Sequence, residues 1–210
     1  MPGLGINCRA ASQVLTRSHP VQTISELSFA ALDFESAGER ANEAGVPIQI
    51  GIAWMQGVTL EPSSFYRSYL RAERPVTWAA QQIHSITSHD LKDAPTLLSL
   101  WPELKARLGG RVIVAHGSGT EKRFLRAFPL HGFGPWVDTL TLSRKILSGR
   151  ASYALSDLVI ELGIETDSLH YLPDFRWHEA LSDALASLLL LRKLIEIASI
   201  TDHPAEILMS

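Results

Sequence analysis

Three strand-like runs follow one another before residue 71, and helical patterns take over mainly after them. Residues 28–34 (SFAALDF) are apolar until they reach acids. Residues 46–55 (VPIQIGIAWM) alternate, which puts Val46, Ile48, Ile50 and Ile52 on one face. Residues 63–70 (SSFYRSYL) are aromatic and strand-like, and Gly38 and Gly45 mark a loop between the first two runs. Residues 96–108 then carry Leu97, Leu100, Trp101, Leu104 and Leu108 at helical spacing and stop at Gly109-Gly110. Residues 111–115 (RVIVA) read as a short buried strand and 136–138 as another. Other helices are expected at 77–83, from a cap at Ser118 or Thr120 to Phe128, at 139–147, at 152–162 and at 178–199. The last shows a stripe of Leu181, Leu185, Leu188, Leu191 or Arg192, and Ile195. Successive strands followed by strands separated by helices predict an α/β domain with a mixed sheet.

Composition narrows the function classes. An apolar content of 46% over 210 residues suits one domain that buries roughly 70% of its unfolded surface without covalent staples. Cys8 is the only cysteine, which excludes an internal disulfide and fits a reducing, cytoplasmic setting. A net charge of −3 and a pI near 6.2 argue against a protein that coats duplex DNA through a broad basic face. They do not argue against an enzyme that grips a few nucleotides. No run approaches the roughly 18 apolar residues of a membrane span. Residues 1–27 read as an N-terminal extension, 28–200 as the domain and 201–210 as a tail. The extension holds Arg9 and Arg17 but no acid before Glu26, and reads as a flexible leader rather than a targeting segment.

Three places put acids where packing alone has no use for them. Asp33 and Glu35 end an apolar strand and share one face, with Phe34 on the other. Side by side they repel unless a cation sits between them; taken alone, the triplet also fits a strand end in solvent. Glu121 follows a buried strand and a glycine-rich turn, at the start of a helix whose dipole it also suits. Asp183 sits inside a helix of Ala and Leu, where Asp is a poor former, and His178 lies five residues earlier. Trp54, Trp78, Trp101, Trp136 and Trp177 read as core or partly buried aromatics rather than base-stacking platforms, with Trp177 set beside His178.

The order of these segments resembles the DEDDh (DnaQ-like) 3′→5′ exonuclease family, typified by the proofreading subunit of bacterial DNA polymerase III. FAALDFESAG resembles its first motif, VIVAHGSGTEKRFL its second and HEALSDA its third, His-x4-Asp. QQIHSIT, DLKDAP, VDTLTLSRKIL and YALSDLVIELGI between them match as well, so the resemblance spans about residues 28–192. It implies a ribonuclease-H-like fold, α/β with a mixed sheet flanked by helices. It implies that Asp33, Glu35 and Asp183 hold Mg²⁺ or Mn²⁺, that Asp33 and Glu121 serve a second ion, and that His178 is the general base. Hard cations of this kind prefer oxygen ligands, and an imidazole titrates near neutrality, as a base for water must. His84 matches a family position that contacts the substrate end, Phe34, Ser36 and Gly38 read as lining the terminal-nucleotide pocket through backbone and stacking contacts, and His116 is left a structural role. The substrate it implies is the single-stranded 3′ end of DNA or RNA, cut to nucleoside 5′-monophosphates.

Five positions depart from the family pattern. Glu121 stands where Asp is usual, Gly117 and Thr120 where Asn and Phe are usual, and Ser36-Ala37 where two threonines are common. These motivate an alternative: a module that keeps the fold, binds nucleic acid or a polymerase partner, and has weak or no hydrolysis. The sequence is equally compatible with DNA or RNA, with stand-alone or polymerase-associated action, and with any oligomeric state.

Overall fold

The strand β1 (Ser28–Ser36) lies at the heart of a mixed sheet because both of its edges are taken. The computed structural model describes residues 22–40 and 45–209. On one side β1 pairs antiparallel with β2 (Pro47–Gln56), which in turn carries β3 (Thr59–Leu60) and β4 (Tyr66–Tyr69). On the other side it pairs parallel with β5 (Val112–Ala115), and β5 pairs parallel with β6 (Trp136–Asp138). Three helices stand between the antiparallel and parallel parts or within the latter: α1 (Trp78–His84), α2 (Trp101–Leu108) and α3 (Gly119–Leu125). Four follow the sheet: α4 (Thr139–Ile146), α5 (Leu155–Glu161), α6 (Glu165–Tyr171) and α7 (Ala180–Ala198). This is the mixed α/β architecture that the strand order predicted.

The period of two along β1 sorts its side chains between two cores. Phe29 and Ala31 join Ala53, Met55, Val112, Val114 and Val137 beneath α7. Ala30, Leu32 and Phe34 join Ile50, Ile52 and Ile113 against Leu104 and Leu108 of α2 and Phe124 and Leu125 of α3. Asp33 and Glu35 have the parity of the α7 face.

Several elements differ from the sequence reading. β1 runs on to Ser36, so the two acids are held within the ladder rather than freed at its end. β2 is buried on both faces along most of its length, because α7 covers one side and α2 with α3 the other. The helix expected over 96–108 opens with a 3₁₀ turn at Leu98–Leu100, and α6 was not foreseen. α7 does not expose an opposite face to its leucine stripe: Ala186, Ser187, Leu189, Leu190 and Leu194 are buried too. It lies between the sheet and α4, α5 and α6, and a helix apolar all round is one packed all round. Each fully buried leucine there contributes about 1.5–3 kcal/mol. Packing also continues past the expected limits of residues 28 and 200. Ile24 and Leu27 share the α7 core with Ala205 and Leu208, and Ile24 N–H donates to the His203 carbonyl at 3.0 Å. Of the extension expected over residues 1–27, the part up to residue 21 lies outside the described residues. No helix among the described residues is long and apolar enough to cross a membrane.

Gly51 sets how closely α7 seats. It pairs with Asp33 across β1–β2 and with Arg67 across β2–β4. A Cβ there would lie 2.1 Å from the Ala180 carbonyl carbon and 2.1 Å from the Leu181 nitrogen. Backbone cannot yield as a side chain tip does, so Gly51→Ala must lift the start of α7. The expected cost is about 1–3 kcal/mol, read as a melting temperature lower by about 2–12 °C in a thermal denaturation of the two proteins. An unchanged melting temperature would show that α7 does not depend on this approach.

Candidate active site

The first turn of α7 descends onto the sheet where β1 carries its acids. The ligand atoms of Glu35, His178 and Asp183 lie within 4.8 Å of one another. Two buried devices hold that turn. Gln49, opposite Glu35 in the β1–β2 register, accepts from Ala180 N–H at 3.0 Å through its side-chain oxygen. Glu179 caps the helix, accepting from the Ser182 N–H and hydroxyl, each at 3.0 Å. His178 itself precedes the helix, in the left-handed region at φ +59°, with its side chain in solvent. The helix expected from residue 178 therefore starts two residues later.

Asp33 and Glu121 lie outside the 4.8 Å group but within its field. Burial, then the charges of Asp183, Glu121, Glu35 and Glu179, push the Asp33 carboxyl well above the usual range. Burial, with Asp183 and Glu179 adding, raises Glu35 to about 8. Burial also raises Asp183 to about 7, although the His178 backbone N–H favours its charge. Glu121 reaches about 7, chiefly through burial, with Asp138 adding to the rise. Without a cation, then, this cluster holds protons at neutral pH.

The turn before α3 aims Glu121. Gly117 N–H and Ser118 N–H donate to the Asp138 carboxylate at 3.1 and 2.8 Å, which ties the turn to the end of β6. Asp138 also caps α4 through Leu140 N–H at 3.0 Å. Burial opposes its charge, yet the donations from Ser118 and Gly117 outweigh burial and hold its pKa low. His116 is structural. Its Nε2 donates to the Tyr153 carbonyl at 2.9 Å and its Nδ1 meets the Thr139 hydroxyl at 2.9 Å.

A cavity of about 380 Å³ adjoins the cluster, lined among others by Glu35, Ser36, Gly38, His84, Thr120 and Arg123. Ser36, Gly38 and His84 were expected to meet substrate, and all three border it. Gly38 is there because its φ is +85° and a Cβ would sit 2.2 Å from the Thr77 hydroxyl, the cap of α1. His84 is only 6% exposed, and both ring nitrogens are engaged within the chain. Ile86 N–H donates to Nδ1 at 3.0 Å, so Nε2 carries the proton and donates to the Ser36 carbonyl at 3.1 Å. It fixes the floor of the cavity rather than offering substrate a free nitrogen. Phe34 departs from expectation: its ring is buried in the opposite core, edge-on to Phe124 at 5.4 Å, and cannot stack on a base. Its parity in β1 is the reason. Of the tryptophans, Trp54, Trp101, Trp136 and Trp177 are partly buried against the cores, whereas Trp78 is 76% exposed at the start of α1.

The donor set fits a divalent cation. Glu121 Oε2 and Asp183 Oδ1 are buried with no hydrogen-bond partner among the described residues, and an orphaned buried carboxylate oxygen costs free energy that a cation can offset. Sequence reading missed Gln49, Arg67, Asp138 and Glu179. A signal existed for two of them: Glu179 sits inside the third motif, HEALSDA, and Asp138 opens VDTLTLS as a helix cap would.

Comparison with known proteins gives the family and the fold. The profile of the exonuclease family of RNase T type matches residues 30–191. DNA polymerase III PolC-type of Thermotoga maritima is 29% identical over 180 residues, which cover 83% of this chain and 12% of that protein. The chain thus spans about an eighth of such a relative's length. The DNA polymerase III subunit epsilon of Aquifex aeolicus is 24% identical over 176 residues, covering 80% of this chain and 81% of that one. Among solved structures, the nuclease domain of 3′hExo, a DEDDh family member bound to rAMP, superposes with a TM-score of 0.70 at 16% identity, over 87% of this chain and 98% of that one. Exonuclease X in complex with 5′ overhanging duplex DNA gives 0.67 at 22% identity, over 87% and 99%. These likenesses establish the ribonuclease-H-like fold.

The charge cluster makes stability depend on pH and metal together. Unfolded, these carboxyls lose their protons near ordinary values of 3.8 to 4.5; folded, Glu35 keeps its proton to about 8 and Asp183 and Glu121 to about 7. Over that window the folded state binds more protons than the unfolded, so stability falls as pH rises. Metal-free protein in chelator is expected to melt lower at pH 8 than at pH 5.5, and Mn²⁺ to raise the melting temperature more at pH 8. A profile that rises with pH and ignores Mn²⁺ would contradict the cluster.

Proposed function

The chain belongs to the exonuclease family of RNase T type, and from that premise we propose that it is a metal-dependent 3′→5′ exonuclease, acting on single-stranded 3′ ends and releasing nucleoside 5′-monophosphates. One observation carries the reading: Glu35, His178 and Asp183 gather their ligand atoms within 4.8 Å beside a cavity that Ser36 and Gly38 border.

In this reading His178, exposed just before α7, takes the proton from the attacking water. Asp33, Glu35 and Asp183 would hold one Mg²⁺ or Mn²⁺, and Asp33 and Glu121 would serve a second. Bound there, the ions make water a better nucleophile and offset charge on the leaving 3′ oxygen. The backbone around Ser36 and Gly38, braced by His84, receives the terminal nucleotide. Thr120 and Arg123 also line that cavity, so its wall is polar there, where the family pattern supplies an aromatic ring. The neighbours bound to DNA and to rAMP support trials of both sugars. The relatives named as DNA polymerase III components support a polymerase as the protein partner.

The alternative, a fold retained without hydrolysis, draws on Gly117, Thr120 and Glu121. Glu121 speaks against it. It is 5% exposed, its Oε2 is unpartnered among the described residues, and its charge bears on Asp33. A retired site has no reason to keep that cost.

The deciding assay follows mononucleotide release from 3′-labelled DNA and RNA oligonucleotides with Mn²⁺. Release is expected from the wild type, with His178→Ala slower by about 10²–10⁴-fold and Asp33→Ala inactive. Folded wild-type protein that releases nothing from either polymer would overturn the proposal. Glu121→Asp withdraws the carboxylate by about 1.5 Å, one bond length, and is expected to lower the rate. A faster Glu121→Asp protein would instead identify glutamate as the weakened feature of the site.

A further inference from the structure

Glu179 is 1% exposed, and its second oxygen has a use that capping does not require. Oε2 satisfies the cap through Ser182. Oε1 faces Arg67 Nη1 at 3.4 Å. A serine caps a helix about as well without adding another negative charge to a cluster that already holds Asp33, Glu35 and Asp183. The carboxylate therefore points to its partner. Arg67 stands on β4 opposite Gly51, on the face that receives α7. Its Nη2 also reaches Asp174 Oδ2 at 3.4 Å. Asp174 and Glu179 bracket the turn that carries His178, so one guanidinium ties both ends of that turn to the sheet. Inside the turn, Trp177 meets Phe175 edge-on at 5.1 Å, and Arg176 N–H donates to the Ser182 hydroxyl at 3.2 Å.

We infer that Arg67, acting through Glu179 and Asp174, is a positioning residue for His178, clamping the 174–179 turn against β4 so that the imidazole stays within reach of Glu35 and Asp183. The inference rests on the reading of His178 as the base. The planar fork matters: two carboxylates are held by one rigid group, which a lysine ammonium cannot reproduce.

The test uses the full chain in two readouts. Hydrogen–deuterium exchange, without metal or nucleic acid, is expected to be faster at residues 174–179 in Arg67→Ala than in wild type. Turnover of an oligonucleotide with Mn²⁺ is expected to show kcat lower by about 10–100-fold with KM changed less than about threefold, and Arg67→Lys recovering part of the loss. The double variant Arg67→Ala/Glu179→Gln removes the charge that Arg67→Ala strands, and is expected to remain slow. Restored activity in that double variant would assign the loss to stranded charge and overturn the clamp. So would unchanged exchange, or kcat of Arg67→Ala within about twofold of wild type. If Arg67→Ala does not fold, Arg67→Lys carries the same readouts. A wild type that releases no nucleotide would sink the exonuclease reading, while the exchange comparison still decides the clamp.

Discussion

The seating of the first turn of α7 on the sheet at Gly51 is the contact on which the rest depends. A strand residue with any side chain there would collide with the backbone of Ala180 and Leu181. Because it is glycine, the helix touches the ladder, and side chains from opposite ends of the sequence meet. Asp33 and Glu35 come from the first strand, Asp183 from the last helix, 150 residues apart in the chain (183 minus 33). Gln49 and Glu179 then fix the helix by its backbone N–H and its cap rather than by apolar packing alone.

That contact concentrates negative charge where the protein is least able to solvate it. Burial and mutual repulsion leave Glu35 and Asp183 protonated near neutrality in the metal-free state. The cost is borne by the apolar circumference of α7, which packs on β1 and β2 below and on α4, α5 and α6 above. Packing and charge are thereby separated in space: the C-terminal two-thirds of the helix stabilises, and the first turn carries the buried acid Asp183. Arg67 is the cation that stands against Glu179 at the rim, and Asp138 plays the corresponding part for the turn of Glu121.

Particular residues show how far the sequence could be read. The strand and helix assignments of β5, β6 and α4 were legible because apolar runs and glycine stops are local signals. The alignment of Asp33 and Glu35 on one face was legible because it follows from the two-residue period of a strand. Phe34 was misread for the same reason turned round: the period that aligns the acids sends its ring into the other core. His84 was legible as a residue of the cavity but not as a bridge to the Ser36 carbonyl, since that bond joins segments 48 residues apart. Trp78 could not be told from the buried tryptophans, because side-chain exposure at a helix start leaves no mark on its neighbours' spacing.

The sequence alone determined the mixed α/β class, the order of the acidic segments and their likeness to an exonuclease family. These follow from periodicity, glycine placement and residue order, which act over a few neighbours. Tertiary structure alone decided that α7 is buried on every side over residues 184–191, that Gly51 admits it, and that Arg67, Gln49, Asp138 and Glu179 hold the turns bearing His178 and Glu121. Those outcomes depend on which surfaces meet across the sheet, and no local pattern records which partner a carboxylate far along the chain will find.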